Sequence, residues 1–314
     1  MTSNVKPLVL VHGGAGDIPE SRVQMKLDCV CKAASEGYKV LNKTGCVLDA
    51  IVAAVEIMED DESMNAGKGS VLNLDGEIEM EALICEGRNL NAGSVTLVQN
   101  VAHPITLARL VMEKTPHTML GAEGAKRFAE KMGIPYVQND QFIIQSAKDA
   151  LKEFKEHKLD PSRTEIGERP GEKGTVGAIA VDISGHLASA TSTGGITGKM
   201  KGRIGDTPLL GCGGYADDDI GAVSTTGHGE SIMRYNLAQR ILSAMNNGQS
   251  AQEATKSCCE GMTARVGNSA GAITLSKDGS VGVFFTSKRM AWAYQLGNEI
   301  HYGIDAGQHL IMKV

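Results

Sequence analysis

The chain has 314 residues, 42% of them hydrophobic, with a formal net charge of −6 and a pI near 5.8. That balance offers no basic face to nucleic-acid phosphates, and the unbroken apolar runs, such as 50–55, are far below the ~18 residues that span a bilayer. Seven cysteines at irregular spacing and eight scattered histidines, with no CxxC or HxxxH pair, give neither a disulfide framework nor a zinc site; with no signal-like stretch at residues 1–7, a cytoplasmic, reduced protein is expected.

Residues 7–12 (PLVLVH) predict a buried strand ending in a glycine turn. Over 19–43, Val23, Leu27, Val30, Ala34, Tyr38 and Leu41 fall at steps of three and four, which predicts an amphipathic helix stopped by Gly45. Residues 47–58 (VLDAIVAAVEIM) are apolar nearly all round and predict a helix buried on more than one side. A hairpin is expected at 71–82, turning at Asp75-Gly76, then a strand at 92–99 and helices near 104–114, 121–132 and 146–157. Residues 156–174 are polar and charged, carry two prolines and have almost no apolar anchor; they predict an exposed, mobile linker.

The character changes abruptly at Thr175. TVGAIAVD (175–182) predicts a buried strand that returns as a hairpin through His186 to Thr193. Further strands are expected at 207–211, 220–226, 270–276 and 280–286, with helices at 229–246 and 250–265 between them. The Gly-Ala-Ile strands at 177–179 and 271–273 echo one another, as two hairpins of one pattern or as a duplication. The order is not a strict βαβ alternation, and neither GxGxxG nor a Walker sequence occurs, so a doubly wound plan is disfavoured. A layered sandwich, with helices over both faces of two packed sheets, fits better.

Glycine is enriched, at 38 residues against a usual ~7%. It clusters in loops: HGGAG at 12–16, Gly194-Gly195, GCGG at 211–214 and GHG at 227–229. Such loops let the backbone approach a ligand closely. At Gly174-Thr175 a polar linker meets a rigid strand. Cleavage of that bond would free the α-amine of Thr175, whose ordinary pKa of ~7.7–8.0 suits it to act as base for the threonine's own hydroxyl. An ordinary strand start reads the same way locally. STTGHGE (224–230) offers hydroxyls and backbone N–H groups at a strand-to-helix junction, suited to an oxyanion hole or to a helix N-cap. Arg203 and Asp206 could grip an amino acid's α-carboxylate and α-amine, or form a surface ion pair. Asn65, in NAGKGS (65–70) after an acidic run, could orient the nucleophile or sit in a solvated loop.

Together these stretches resemble the isoaspartyl peptidase/L-asparaginase group, the plant-type asparaginases among the N-terminal nucleophile hydrolases. The resemblance runs from HGGAG at 12–16 to about Ile304, through GTVGA (174–178), TSTGG (191–195), GRIGD (202–206), GCGGYAD (211–217) and AVSTTGHGE (222–230). It implies an α/β fold, the four-layer αββα sandwich. It also implies one domain matured by autocleavage between Gly174 and Thr175 into chains 1–174 and 175–314, and a homodimer of cleaved protomers. In this light Thr175 is the nucleophile and Thr193 a hydroxyl bonded to it. Arg203 anchors the substrate carboxylate and Asp206 the amine, with main chain of Gly229. Thr226 and the N–H of Gly227 form the oxyanion hole, and Asn65 stands near the nucleophile.

The implied substrates are small molecules, L-asparagine and isoaspartyl dipeptides. No cofactor is expected; a structural sodium ion held by carbonyls of the 59–69 loop is left open. Two features depart from the usual pattern: Glu81 stands where an aspartate is common, and HGGAG is the shorter form of its loop. Both bear on autocleavage. A glycosylasparaginase, a threonine endopeptidase and an uncleaved binding protein are the alternatives.

Overall fold

The computed structural model describes residues 5–156 and 174–314; the linker expected over 156–174 lies, apart from its ends, outside the described residues. The strands are β1 (Leu8–Gly16), β2 (Met80–Glu86), β3 (Ala92–Val98), β4 (Met119–Gly121), β5 (Val176–Val181), β6 (Leu187–Thr193) and β7 (Gly214–Asp217). They continue with β8 (Gly221–Gly227), β9 (Ala270–Ser276), β10 (Val281–Phe285), β11 (Arg289–Leu296), β12 (Glu299–Asp305) and β13 (Leu310–Lys313). Among the described residues they form two sheets, one of nine strands in the order β13-β12-β11-β1-β5-β6-β2-β3-β4 and one of four in the order β10-β9-β8-β7.

The period-two alternation of strand side chains sorts the core into layers. In β1, Val9 and Val11 face a cluster with Val30, Ile51 and Val55 from the helices α1 (Glu20–Thr44) and α2 (Val47–Glu59). Leu8 and Leu10 face the other way, onto Ala222, Ile273 and Leu275 of the smaller sheet. In β5, Ala178 and Ala180 point to the helices, whereas Ile179 and Val181 point between the sheets. The helix α3 (Pro104–Lys114) completes the outer cover of the large sheet. Its small neighbours α4 (Ala122–Lys131), α5 (Asn139–Phe142) and α6 (Gln145–Glu156) follow, with α4 and α6 each burying a single face. On the smaller sheet, α7 (Gly229–Tyr235), α8 (Leu237–Asn246) and α9 (Ala251–Val266) pack on Val223, Ala270 and Ala272. The result is the expected αββα sandwich. Each buried Leu, Ile or Val between the layers contributes about 1.5–3 kcal/mol.

Four local expectations differ from the structure. The stretch 71–79 turns at Gly76 but is not a hairpin strand. The Val71 N–H goes to Asn65 Oδ1 (3.1 Å) and the Leu74 N–H to the Lys199 carbonyl (2.9 Å), while Asn73 Oδ1 accepts from the Asp75 and Glu77 amides (3.0 and 2.9 Å), so no ladder forms before Met80. Residues 207–211 make a turn, with Leu209 N–H on the Asp206 carbonyl (3.0 Å); Pro208 has no N–H to give a ladder, and the strand comes later, at β7. The helix expected over 229–246 is broken at Asn236, whose φ of 57° is left-handed. Finally, β1 runs on through its glycines to Gly16, with a register shift between His12 and Ala15.

Candidate active site

Thr175 sits at the entrance to β5, and the alternation of that strand turns its side chain into the gap between the sheets. The same gap receives His12 from β1, Ser189, Thr191 and Thr193 from β6, and Ser224 and Thr226 from β8. All of these polar groups are buried. Ser189 Oγ and Thr191 Oγ1 donate to the carbonyls of Val223 (2.7 Å) and Gly213 (3.0 Å), while Thr191 and Ser224 share a hydrogen bond of 2.9 Å that continues to His12 Nε2 at 2.9 Å. Polar atoms buried without partners would each cost about 1–3 kcal/mol, and this network satisfies most of them.

At the mouth of the gap is a narrow cleft lined by Asn65, Gly174, Thr175, Thr193, Gly195, Ile196, Arg203, Asp206, Gly227 and Gly229. The residues singled out from the sequence thus converge, with one exception. Thr226 is fully buried behind the lining, where its Oγ1 accepts from the Ala15 N–H at 3.1 Å. Because that bond uses the oxygen as acceptor, the Thr226 proton remains free to donate.

Thr175 Oγ1 donates to Thr193 Oγ1 at 3.3 Å, long for a bond between hydroxyls, and Thr193 Oγ1 also accepts from the Gly195 N–H at 3.0 Å. Gly174 has φ +67°, and a Cβ there would stand 2.7 Å from Gly14 Cα. Asn65 does not reach Thr175 by a hydrogen bond; it pins the glycine turn beside it. Its Nδ2 donates to the Gly195 carbonyl (2.7 Å), its own carbonyl accepts from Gly194 N–H (2.9 Å), and its Oδ1 accepts from Val71.

Across the cleft, Arg203 forms its ion pair with Glu230 rather than with Asp206: Nε to Oε1 and Nη2 to Oε2, both at 2.9 Å. Burial opposes the charge on Arg203, but Glu230 outweighs it and the guanidinium is held more firmly protonated than usual. Gly229 lies between the two expected anchors. A Cβ on it would be 2.7 Å from Arg203 Nη2 and 2.8 Å from Asp206 Oδ1, so only glycine leaves that corner open. Burial pushes the Asp206 carboxyl up to about 7, against the pull of Arg203. Glu81 is also buried and raised, with Lys199 and Arg203 opposing; its carboxylate accepts from the Gly205 N–H at 2.9 Å and so holds the GRIGD turn. Lys199 is buried, donates to the Glu79 carbonyl, and is pushed down to about 8 by desolvation.

Several of these residues escaped sequence reasoning. Lys26 is one: wholly buried in α1, its Nζ donates to the Gly13 carbonyl at 2.7 Å and holds the HGGAG loop. Its signal was its place on the apolar stripe, three residues after Val23 and four before Val30. His12 is held neutral, its pKa pushed down to about 3 chiefly by burial. Glu230 stood inside a quoted motif without a role.

The 59–69 loop is tied by Ser63 N–H to Asp61 Oδ1 (2.8 Å) and Met64 N–H to the Asp61 carbonyl (3.0 Å). The carbonyls of Glu59 and Met64 lie close against Gly67 and Gly69 and leave no room for a side chain at either glycine. No trio of His, Cys, Asp or Glu side chains clusters as metal ligands among the described residues.

A sequence profile of the family described as asparaginase matches residues 5–304. The chain is 46% identical over 308 residues to the isoaspartyl peptidase/L-asparaginase of Danio rerio, with 98% of each chain covered. It is 46% identical over 306 residues to that of Xenopus laevis, with 97% of each covered. To that of Homo sapiens it is 46% identical over 302 residues, covering 96% of this chain and 97% of the other. A profile that spans the sandwich and relatives matched nearly end to end leave one reading: the chain belongs to the asparaginase family, among the isoaspartyl peptidase/L-asparaginases.

Proposed function

We propose that this chain is a threonine-nucleophile amidohydrolase that hydrolyses L-asparagine to aspartate and ammonia and cleaves isoaspartyl dipeptides, after cutting itself between Gly174 and Thr175. The observation that carries the reading is the convergence on one cleft of Thr175, bonded to Thr193, with Arg203 and Asp206 on the opposite wall. The names of its relatives support the same activities.

In the precursor, Thr175 Oγ1 adds to the Gly174 carbonyl carbon, the C–N bond breaks, and the proton moves to the freed amine of Thr175. Water then hydrolyses the ester, giving one domain made of chains 1–174 and 175–314. In the mature protein that amine takes the proton of Oγ1 as it attacks the substrate's side-chain carbonyl. The Thr226 hydroxyl and the Gly227 N–H stabilise the oxyanion; such a donor is worth about 3–4 kcal/mol when removed. The leaving amine departs, and water releases aspartate from the acyl-enzyme. Arg203 and Asp206, with main chain of Gly229, hold the α-carboxylate and α-amine common to both substrates, which is why the leaving group can vary.

The active unit in this reading is a homodimer of cleaved protomers, located in the cytoplasm. All seven cysteines stand as free thiols, in keeping with a reducing compartment. No helix among the described residues is long and apolar enough to cross a membrane. The test is release of ammonia from L-asparagine and of the second amino acid from a β-aspartyl dipeptide by purified protein. Turnover of both is expected. Activity on a glycosylasparagine alone, or on neither substrate, would overturn the assignment.

A further inference from the structure

The Arg203–Glu230 pair changes what the arginine can offer a ligand. A free guanidinium presents two edges, either of which can take a carboxylate with two parallel bonds. Here Nε and Nη2 both donate to Glu230 at 2.9 Å. That leaves the Nη1–Nη2 edge, with the second hydrogen of Nη2 and both of Nη1: a Cβ on Gly195 would lie 3.2 Å from Nη1 and one on Gly205 2.7 Å, while one on Gly229 would lie 2.7 Å from Nη2. The arginine side chain is 14% exposed while the glutamate is 39% exposed. Glu230 therefore approaches from outside the cleft, and its outer side borders a second cavity of about 550 Å³, shared with Met200, His228, Arg234 and Asn268. Ile196 and Arg203 line both spaces, so the ion pair is the partition between them.

We infer that Glu230 is the positioning residue for substrate recognition: it occupies one edge of Arg203, fixes the guanidinium plane against Gly195 and Gly229, and leaves the Nη1–Nη2 edge to meet the substrate's α-carboxylate. This rests on the proposed role of Arg203. Without the clamp the arginine can rotate towards the outer cavity, and its Nη1–Nη2 edge no longer waits at the head-group corner beside Gly229 and Asp206. Binding suffers and the chemistry at Thr175 does not, because Glu230 touches neither the nucleophile nor the oxyanion donors. Hydrogen bonds to charged groups of this kind correspond to roughly a tenfold effect or more on an equilibrium constant.

The experiment uses Glu230→Ala and Glu230→Gln as full chains, with the mass of the purified protein reporting whether each has matured. Two quantities are read: KM and kcat for L-asparagine, and the Kd of L-aspartate by calorimetry, which needs no turnover. Glu230→Ala is expected to raise KM and Kd about tenfold with kcat within about threefold of the parent. Glu230→Gln, which retains one acceptor, should fall between. Added acetate, entering through the outer cavity to fill the vacated carboxylate site, should lower the Kd of Glu230→Ala. KM and Kd within twofold of the parent in Glu230→Ala would overturn the inference. So would equal losses in both variants with no response to acetate, since that would mark a merely structural role. Should Glu230→Ala fail to fold, Glu230→Gln carries the test alone, through its KM-against-kcat split. A parent protein that binds no aspartate and turns over no asparagine would instead contradict the proposed function.

Discussion

Gly174 lies against Gly14: a methyl group on the first would stand 2.7 Å from the Cα of the second, 3.0 Å from its carbonyl carbon and 3.1 Å from the Ala15 nitrogen. The residue before the expected cleavage point is thus wedged onto the backbone of the HGGAG loop, with a φ of +67° that a side chain disfavours. Two glycines far apart in the sequence meet to seat the bond beside Thr175.

Gly174→Ala should therefore displace that bond. A shift of ~1 Å at a reacting centre can cost about 100-fold in rate. Autocleavage of Gly174→Ala, followed by mass against time, is expected to slow on that order. A rate equal to the parent's would mean that the close approach has no bearing on the cut.

Arg203→Lys keeps a positive charge but loses the planar fork and with it the two-bond contact to Glu230. KM for L-asparagine should rise about tenfold or more, with kcat changed far less. An unaltered KM would remove Arg203 from substrate binding.

The Asp206 carboxyl, raised to about 7 by burial, sets a pH dependence. Above that value it is a carboxylate and can accept the substrate's ammonium; below it the group binds its own proton and that attraction is lost. kcat/KM should fall as pH drops through about 7. In the complex the bound ammonium favours the ionised form, so the fall in kcat should come at lower pH than the fall in kcat/KM. Asp206→Asn should bind weakly throughout, and the acid-side fall it keeps should be that of the Thr175 amine alone. A kcat/KM profile flat from pH 8 to about 5.5 would contradict the assignment.

The layers were legible in the sequence because period-two alternation in β1 and β5 and the three-and-four spacing of α1 are direct consequences of burial on one face. The cleft was legible through its glycines and hydroxyls. What the sequence hid was pairing across distance. Glu79-Met-Glu81 gives no sign that Glu81 will cap Gly205, 124 residues away. Arg203 and Asp206 look like partners by spacing, yet Glu230 takes the arginine because α7 brings its carboxylate to the outer edge of the fork. Residues 71–79 read as a hairpin by composition, but Asn65 and Lys199 claim the amides a partner strand would need. The strands β11–β13 were not anticipated. Strand β11 pairs onto β1 and β12 onto β11 through mixed sequence, RMAWAYQL and EIHYGID, whose polar residues blur the alternation.

The central claim is that Thr175 cuts the chain before itself and then serves as nucleophile, and intact mass of the purified parent and of Thr175→Ala tests it most directly. The parent should separate under denaturing conditions into two fragments ending at Gly174 and beginning at Thr175, while Thr175→Ala stays a single chain of about 33.1 kDa and turns over no asparagine. A Thr175→Ala protein that still yields the two fragments, or a parent that hydrolyses asparagine while wholly uncut, would contradict it.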